Sequence, residues 1–115
     1  MAASDWKSFT DQTNRRMGEM RKANPGVSKG FGELATAAIA PGALDSKTKE
    51  LIALGIAVAV RCDDCIAFHA KAAVEHGASR DEVSETLGMA IYMGAGPSVM
   101  YASHALEAFT QFEAN

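Results

Sequence analysis

Leu51-Ile52-Ala53-Leu54-Gly55-Ile56-Ala57-Val58-Ala59-Val60 is the longest apolar run in the chain, and it stands between Glu50 and Arg61. It falls well short of the roughly 20 residues that cross a bilayer. It therefore reads as a buried helix of a water-soluble fold. From Leu51 onward it carries no polar face, so the helix predicted over about residues 45–60 is expected to be central and surrounded by others. Asp45 or Ser46 can cap it, because a side-chain oxygen there accepts from the unpaired N–H groups of the first turn.

Working outward, the rest of the chain is also helical. No stretch alternates apolar and polar residues long enough to predict a strand, and alanine outnumbers the β-branched residues. About six helices are expected, hence an all-α fold with a central helical hairpin. A first helix over about 4–23 stops at Asn24-Pro25-Gly26, and a second over about 27–39 stops at Pro41-Gly42. The fourth opens near Cys62-Asp63-Asp64 and ends at Gly77. The fifth opens at Ser79-Arg80-Asp81-Glu82, whose Ser-x-x-Glu spacing is a capping box. It ends near Gly94-Ala95-Gly96-Pro97, where Pro97 can start the sixth helix, which runs to about Phe112.

At 115 residues the chain has room for one domain, 1–115, and should bury about two-thirds of its unfolded surface. Charged residues at 22% and a net charge of −3 leave no basic footprint for nucleic acid. The start, MAASDWKSF, lacks the charged-then-apolar pattern of a secretory leader, so a cytoplasmic location is expected.

Chemistry concentrates at Cys62-Asp63-Asp64-Cys65-Ile66-Ala67-Phe68-His69. These are the chain's two cysteines, three apart, and in a reducing compartment such a pair reads as redox-active or metal-binding rather than as a structural staple. On a helix, Cys65 and His69 are four apart and share a face. Both cysteines also fall where unpaired N–H groups and the helix dipole favour a thiolate. Asp63 and Asp64 oppose ionisation of a neighbouring thiol; for Cys65 the helix end and His69 are expected to prevail, and for Cys62 the balance stays open. A zinc reading would need a further ligand; His76 is a candidate, although its place before Gly77 fits a solvated helix end better. Inert packing is the third reading.

Glu50 is the remaining candidate, at the edge of the apolar helix: taken alone it reads as a solvated first-turn carboxylate, and its spacing from the cysteines argues for a partly buried one instead. Carboxylates buried at such edges exchange protons near neutrality. A hairpin folded about Arg61 would set Glu50 level with residue 72 or 73, one turn from His69, which leaves a direct contact open and allows a one-water bridge. His104 reads as a partly buried helix residue with a structural hydrogen bond. Met89, Met93 and Met100 read as core or interface filler. Gly94-Ala95-Gly96-Pro97-Ser98 lacks the Lys and the preceding strand of a phosphate loop, so it reads as a turn.

Lys49-Glu50-Leu51-Ile52-Ala53-Leu54 followed by Arg61-Cys62-Asp63-Asp64-Cys65-Ile66-Ala67-Phe68-His69 resembles the core of the carboxymuconolactone decarboxylase superfamily, within its AhpD-like alkylhydroperoxidase branch. Ala90-Ile91-Tyr92-Met93-Gly94-Ala95-Gly96-Pro97, with Tyr101 and His104-Ala105-Leu106-Glu107-Ala108, is similar to small members of that branch. The resemblance covers about residues 27–112. It implies an all-α oligomer, a trimer or a hexamer, and a thiol-dependent peroxidase that reduces alkyl hydroperoxides in antioxidant defence. It makes Cys65 the peroxide-attacking cysteine, Cys62 its disulfide partner, and His69 with Glu50 the proton relay. It implies no cofactor and no metal. Its reductant would be a dithiol such as a lipoyl-type carrier or a thioredoxin-like protein. Better-studied peroxidases of the branch carry another His directly before the second cysteine, where this chain has Asp64. A protein or small-molecule disulfide oxidoreductase without peroxidase activity is the alternative from the same site. The decarboxylase that names the superfamily lacks the cysteine pair; a decarboxylase-type or metal-binding structural oligomer is the alternative of another class.

Overall fold

Six helices fill most of residues 5–114, which the computed structural model describes, and no strand occurs among them. They are α1 (Trp6–Ala23), α2 (Pro25–Ile39), α3 (Ser46–Ala59), α4 (Asp63–Glu75), α5 (Arg80–Gly94) and α6 (Gly96–Glu113). The expected all-α fold is the one observed. The predicted start of the first helix at residue 4 lies outside the described residues.

The ends follow from local chemistry. Asp45 caps α3, its Oδ1 accepting from the Thr48 N–H at 2.8 Å. Ser79 and Glu82 form both bonds of the capping box on α5. Pro25 does not simply break the chain. It takes the first position of α2, where a missing N–H costs nothing, so only Asn24 separates α1 from α2. The Gly94–Pro97 segment is the helix–helix turn expected. Gly94 packs closely on Ser98 there: a Cβ would meet the Ser98 hydroxyl, which would have to turn away to admit it.

The turn between α3 and α4 positions everything that follows. Val60 ends α3, and Arg61 turns into the left-handed region at φ 61°. Its N–H donates to the Val58 carbonyl at 3.1 Å, and the Cys62 N–H donates to the Ala57 carbonyl at 3.0 Å. Two of the orphan carbonyls at the end of α3 are thereby satisfied, as in a glycine-type helix cap. The same pair of bonds closes α4, where Gly77 takes the left-handed position.

The core lies between α3, α4, α5 and α6. Leu54 and Val58 meet Ile66, Ala67, Ala70 and Ala73, with Val83 and Leu87 from α5 and Ala102, Ala105, Ala108 and Phe109 from α6. The alanine stripes of α4 and α6 let those two backbones approach closely. α1 closes the core through Trp6, which is fully buried. The Trp6 backbone N–H donates to Gln111 and its indole N–H to Glu107, each at 2.7 Å, and its ring meets Phe9 edge-on at 5.5 Å.

Two expectations are corrected here. α3 is not surrounded within the chain, because Ile52 and Ile56 are about half exposed. Four helices suffice to cover one side of it, while α5 leaves Met89 and Met93 open beside an apolar groove of about 450 Å³ on the other. Those methionines are therefore not filler in the chain's own core. Conversely, the apolar residues of the last helix, which in the sequence read as extra surface for a subunit contact (Phe109, Phe112, Met100 and Tyr101), are in part core: Phe109 and Phe112 are buried. They join the same buried cluster as Trp6. α2 buries no residue at all, and Val27, Phe31 and Leu34 are each more than 60% exposed. Lys49 ties its end to α3 by donating to the carbonyls of Ala38 and Ala40.

Candidate active site

Cys62 is the N-cap of α4 and Cys65 lies in its first turn. The two are joined as a disulfide within the chain, with Cα atoms 5.2 Å apart. Cys62 Sγ also accepts the Cys65 N–H at 3.1 Å, so sulfur takes the capping role that oxygen usually fills. Both residues are partly buried, a position that leaves the pair reachable at the helix end.

His69 sits one turn further along α4. Its Nδ1 lies 2.7 Å from Glu50 Oε1 on α3, so of the two geometries the sequence left open the direct contact is the one observed. The reason is register. The Cys62–Ala57 backbone bond sets residue 62 level with residue 57. Two helical turns down each helix, about seven residues, then bring Glu50 opposite His69. A hairpin counted about Arg61 ignores this folding back of the turn and misplaces the pair by three or four residues.

The Glu50 side chain is only 6% exposed and the His69 side chain 28%. With Glu50 ionised, Nδ1–H donates to it and fixes the tautomer, which leaves Nε2 as the ring's proton acceptor. That is the orientation a general base needs.

The two aspartates between the cysteines are held from opposite sides. Asp64 Oδ1 accepts from Thr13 Oγ1 at 3.2 Å, and both its oxygens lie 3.3 Å from the Arg16 guanidinium, on α1. Asp63 Oδ1 lies 2.8 Å from His104 Nδ1, on α6. His104 thus has the structural hydrogen bond expected of it. Its partner, and the roles of Thr13 and Arg16, were not legible: the contacts span 41 to 51 residues and no periodicity links them. His76 is the exposed C-cap of α4, away from the cysteines by the full length of that helix. Among the described residues, no three His, Cys, Asp or Glu side chains are grouped as a metal site. No helix among them is long and apolar enough to cross a membrane.

The carboxymuconolactone decarboxylase family profile matches residues 25–108, which contain the whole Glu50–His69 site. The chain belongs to that family, and its cysteine pair and His69 are consistent with the AhpD-like branch. It is 50% identical to a carboxymuconolactone decarboxylase family protein from Legionella pneumophila of known structure, with a TM-score of 0.90 over 94% of this chain and 96% of that one. A family protein from Thermotoga maritima, given a qualified link to the antioxidative response, is 31% identical with a TM-score of 0.82, over 91% of this chain and 90% of that one. An uncharacterized protein from Cupriavidus necator is 40% identical over 96% of this chain and 98% of its own length.

Proposed function

We propose that this protein is a thiol-dependent peroxidase that reduces alkyl hydroperoxides in the cytoplasm and is recycled by a dithiol partner. The observation that carries the reading is the direct Glu50–His69 contact one helical turn from a Cys62–Cys65 disulfide at a helix N-terminus. Family membership and the antioxidative link of the Thermotoga relative support it.

In the proposed cycle His69 Nε2 takes the Cys65 thiol proton, and Glu50 stabilises the resulting imidazolium. The Cys65 thiolate attacks the distal peroxide oxygen. The O–O bond breaks, the alkoxide takes a proton to leave as the alcohol, and Cys65 becomes a sulfenic acid. The Cys62 thiolate then attacks that sulfur, the S–S bond forms, and hydroxide leaves and is protonated to water. A dithiol such as a lipoyl-type carrier or thioredoxin-like protein returns two electrons by exchange through a mixed disulfide.

The working unit in this reading is a trimer or hexamer. The apolar side of α2 and the Ile52, Ile56, Met89 and Met93 surface are what a second copy would cover.

A disulfide oxidoreductase that never meets peroxide is the second reading. It is favoured by Asp64, which stands in an ion pair with Arg16 where peroxidases of the branch carry a histidine. Hydroperoxide consumption with several dithiol reductants separates the two, comparing the wild type with Cys65→Ser. Peroxide-dependent turnover lost in the variant supports the peroxidase. Reductant turnover with disulfide substrates but none with peroxide supports the alternative.

A further inference from the structure

The sequence sets a problem at Cys62. Its immediate neighbours in α4, Asp63 and Asp64, are anions, and anions beside a thiol disfavour its thiolate. Resolution of a sulfenic acid needs that thiolate. Both carboxylates are, however, engaged by other helices: Asp64 by Thr13 and Arg16, and Asp63 by His104.

The Asp63–His104 pair is the more enclosed of the two. Its side chains are 18% and 24% exposed, against 45% and 56% for Asp64 and Arg16. The His104 ring is fenced by Tyr101 at 4.9 Å and by Trp6 at 6.3 Å, and Trp6 is itself held by Glu107. These contacts seat the imidazole against the carboxylate of the residue that follows Cys62. A second carboxylate–imidazole pair thus stands at the motif, in the reverse order to Glu50 and His69: here the carboxylate is the neighbour of the cysteine and the imidazole lies behind it. The remaining charges nearby are Arg61 on the chain preceding Cys62, the Asp64–Arg16 pair, and Glu107 on α6.

We propose that His104 is a positioning residue for Cys62: it holds and offsets the Asp63 charge, and so allows the Cys62 thiol to ionise near neutral pH. The consequence for the resolving step rests on the peroxidase reading; the effect on Cys62 ionisation does not.

The test isolates Cys62 in a Cys65→Ser chain, which then has a single thiol, and follows its alkylation by iodoacetamide against pH. His104→Gln keeps a hydrogen-bond donor but cannot become cationic. It should move the alkylation midpoint to higher pH and slow reaction at neutral pH by about three- to tenfold, the scale of one nearby uncompensated charge. Asp63→Asn should move the midpoint to lower pH, and adding His104→Gln to it should then change nothing. An unmoved midpoint in His104→Gln, with only the melting temperature lowered, would make the contact a structural hydrogen bond and overturn the proposal. So would a His104→Gln effect that persists without the Asp63 charge. Should His104→Gln fail to fold, His104→Asn takes its place in the same comparison, and an absent downward shift in Asp63→Asn overturns the proposal by itself, because the carboxylate would then not govern Cys62.

No peroxide enters this assay. If the midpoints move as expected while disulfide closure in the Cys65-containing chain after one equivalent of peroxide is unaffected by His104→Gln, the assignment stands and ionisation of Cys62 does not limit the resolving step.

Discussion

Glu50 Oε1 lies 2.7 Å from His69 Nδ1, with the carboxylate on α3 and the imidazole on the helix that carries both cysteines. Glu50→Gln keeps the shape of that contact and removes its charge. The Cys65 alkylation profile should shift to higher pH, and peroxide turnover at neutral pH should fall by roughly ten- to a hundredfold. His69→Gln should cost more. The double variant should be little worse than His69→Gln alone, because groups acting in series do not add. An unchanged profile in Glu50→Gln would reduce the carboxylate to a support for the histidine ring.

Acid should weaken the α3–α5 connection before it reaches the core. Hydrogen bonds from Thr48 hold the Asp45 carboxyl below its ordinary 3.8. The Ser79 backbone N–H, then Lys47, hold Glu82 below its ordinary 4.5. Carboxyls depressed in the folded state stabilise it above their unfolded values and lose that contribution as pH falls through the folded ones. Melting temperature should therefore decline below about pH 4.5. Glu82→Gln should flatten that decline and lower the plateau at neutral pH. Lys47, raised above its ordinary 10.5 by Glu82, acts in the opposite direction: its contribution is present below 10.5 and is lost as pH rises through the higher folded value. A melting profile in Glu82→Gln as steep in acid as the wild type's would remove this pair from the account.

Trp6 is the bolt of α1. Trp6→Ala should destabilise the chain by about 3–5 kcal/mol, the usual cost of deleting a buried large aromatic side chain. Trp6→Phe keeps much of the apolar volume but loses the bond to Glu107 and leaves a small void, so about 2 kcal/mol is expected. Chemical denaturation of the two variants checks both. Equal losses would mean that the indole N–H, rather than the ring, does the holding.

Light scattering at micromolar concentration should return a trimer or a hexamer. Phe31→Asp with Leu34→Glu should lower that mass without unfolding the subunit, since α2 buries no residue within its own chain. A monomeric wild type would remove the reason given for the exposed faces of α2, α3 and α5.

The helices were legible because their ends are written locally: Asp45, Ser79 with Glu82, Gly77 and Pro97 each act within four residues of themselves. The site residues were legible because Cys65 and His69 share one helix and Glu50 flanks the apolar run. Long-range terms were not. Trp6 meets Glu107 across 101 residues, so nothing near it in sequence reveals an anchor. Phe109 and Phe112 share a buried cluster with Trp6 of α1, and the polar, basic sequence of that helix gives no hint of it. The Glu50–His69 register depends on Arg61 taking a left-handed conformation that residue type alone would not predict.

That conformation gives the last prediction. A side chain in the left-handed region carries roughly 1–3 kcal/mol of strain, which glycine avoids, while glycine gives back part of the gain through the greater freedom of the unfolded chain. Arg61→Gly should therefore stabilise the fold by about 1 kcal/mol, a rise of several degrees in melting temperature for a domain of this size. Arg61→Ala removes the same guanidinium but keeps the Cβ, so it should give no such rise. The bond from the Cys62 N–H to the Ala57 carbonyl persists in both, since it needs only the backbone path. Glu50 then stays opposite His69, and any change in cysteine reactivity shared by the two variants reports the lost Arg61 charge. If Arg61→Gly melts no higher than Arg61→Ala, the turn is not strained, and the left-handed cap is one that arginine adopts without cost.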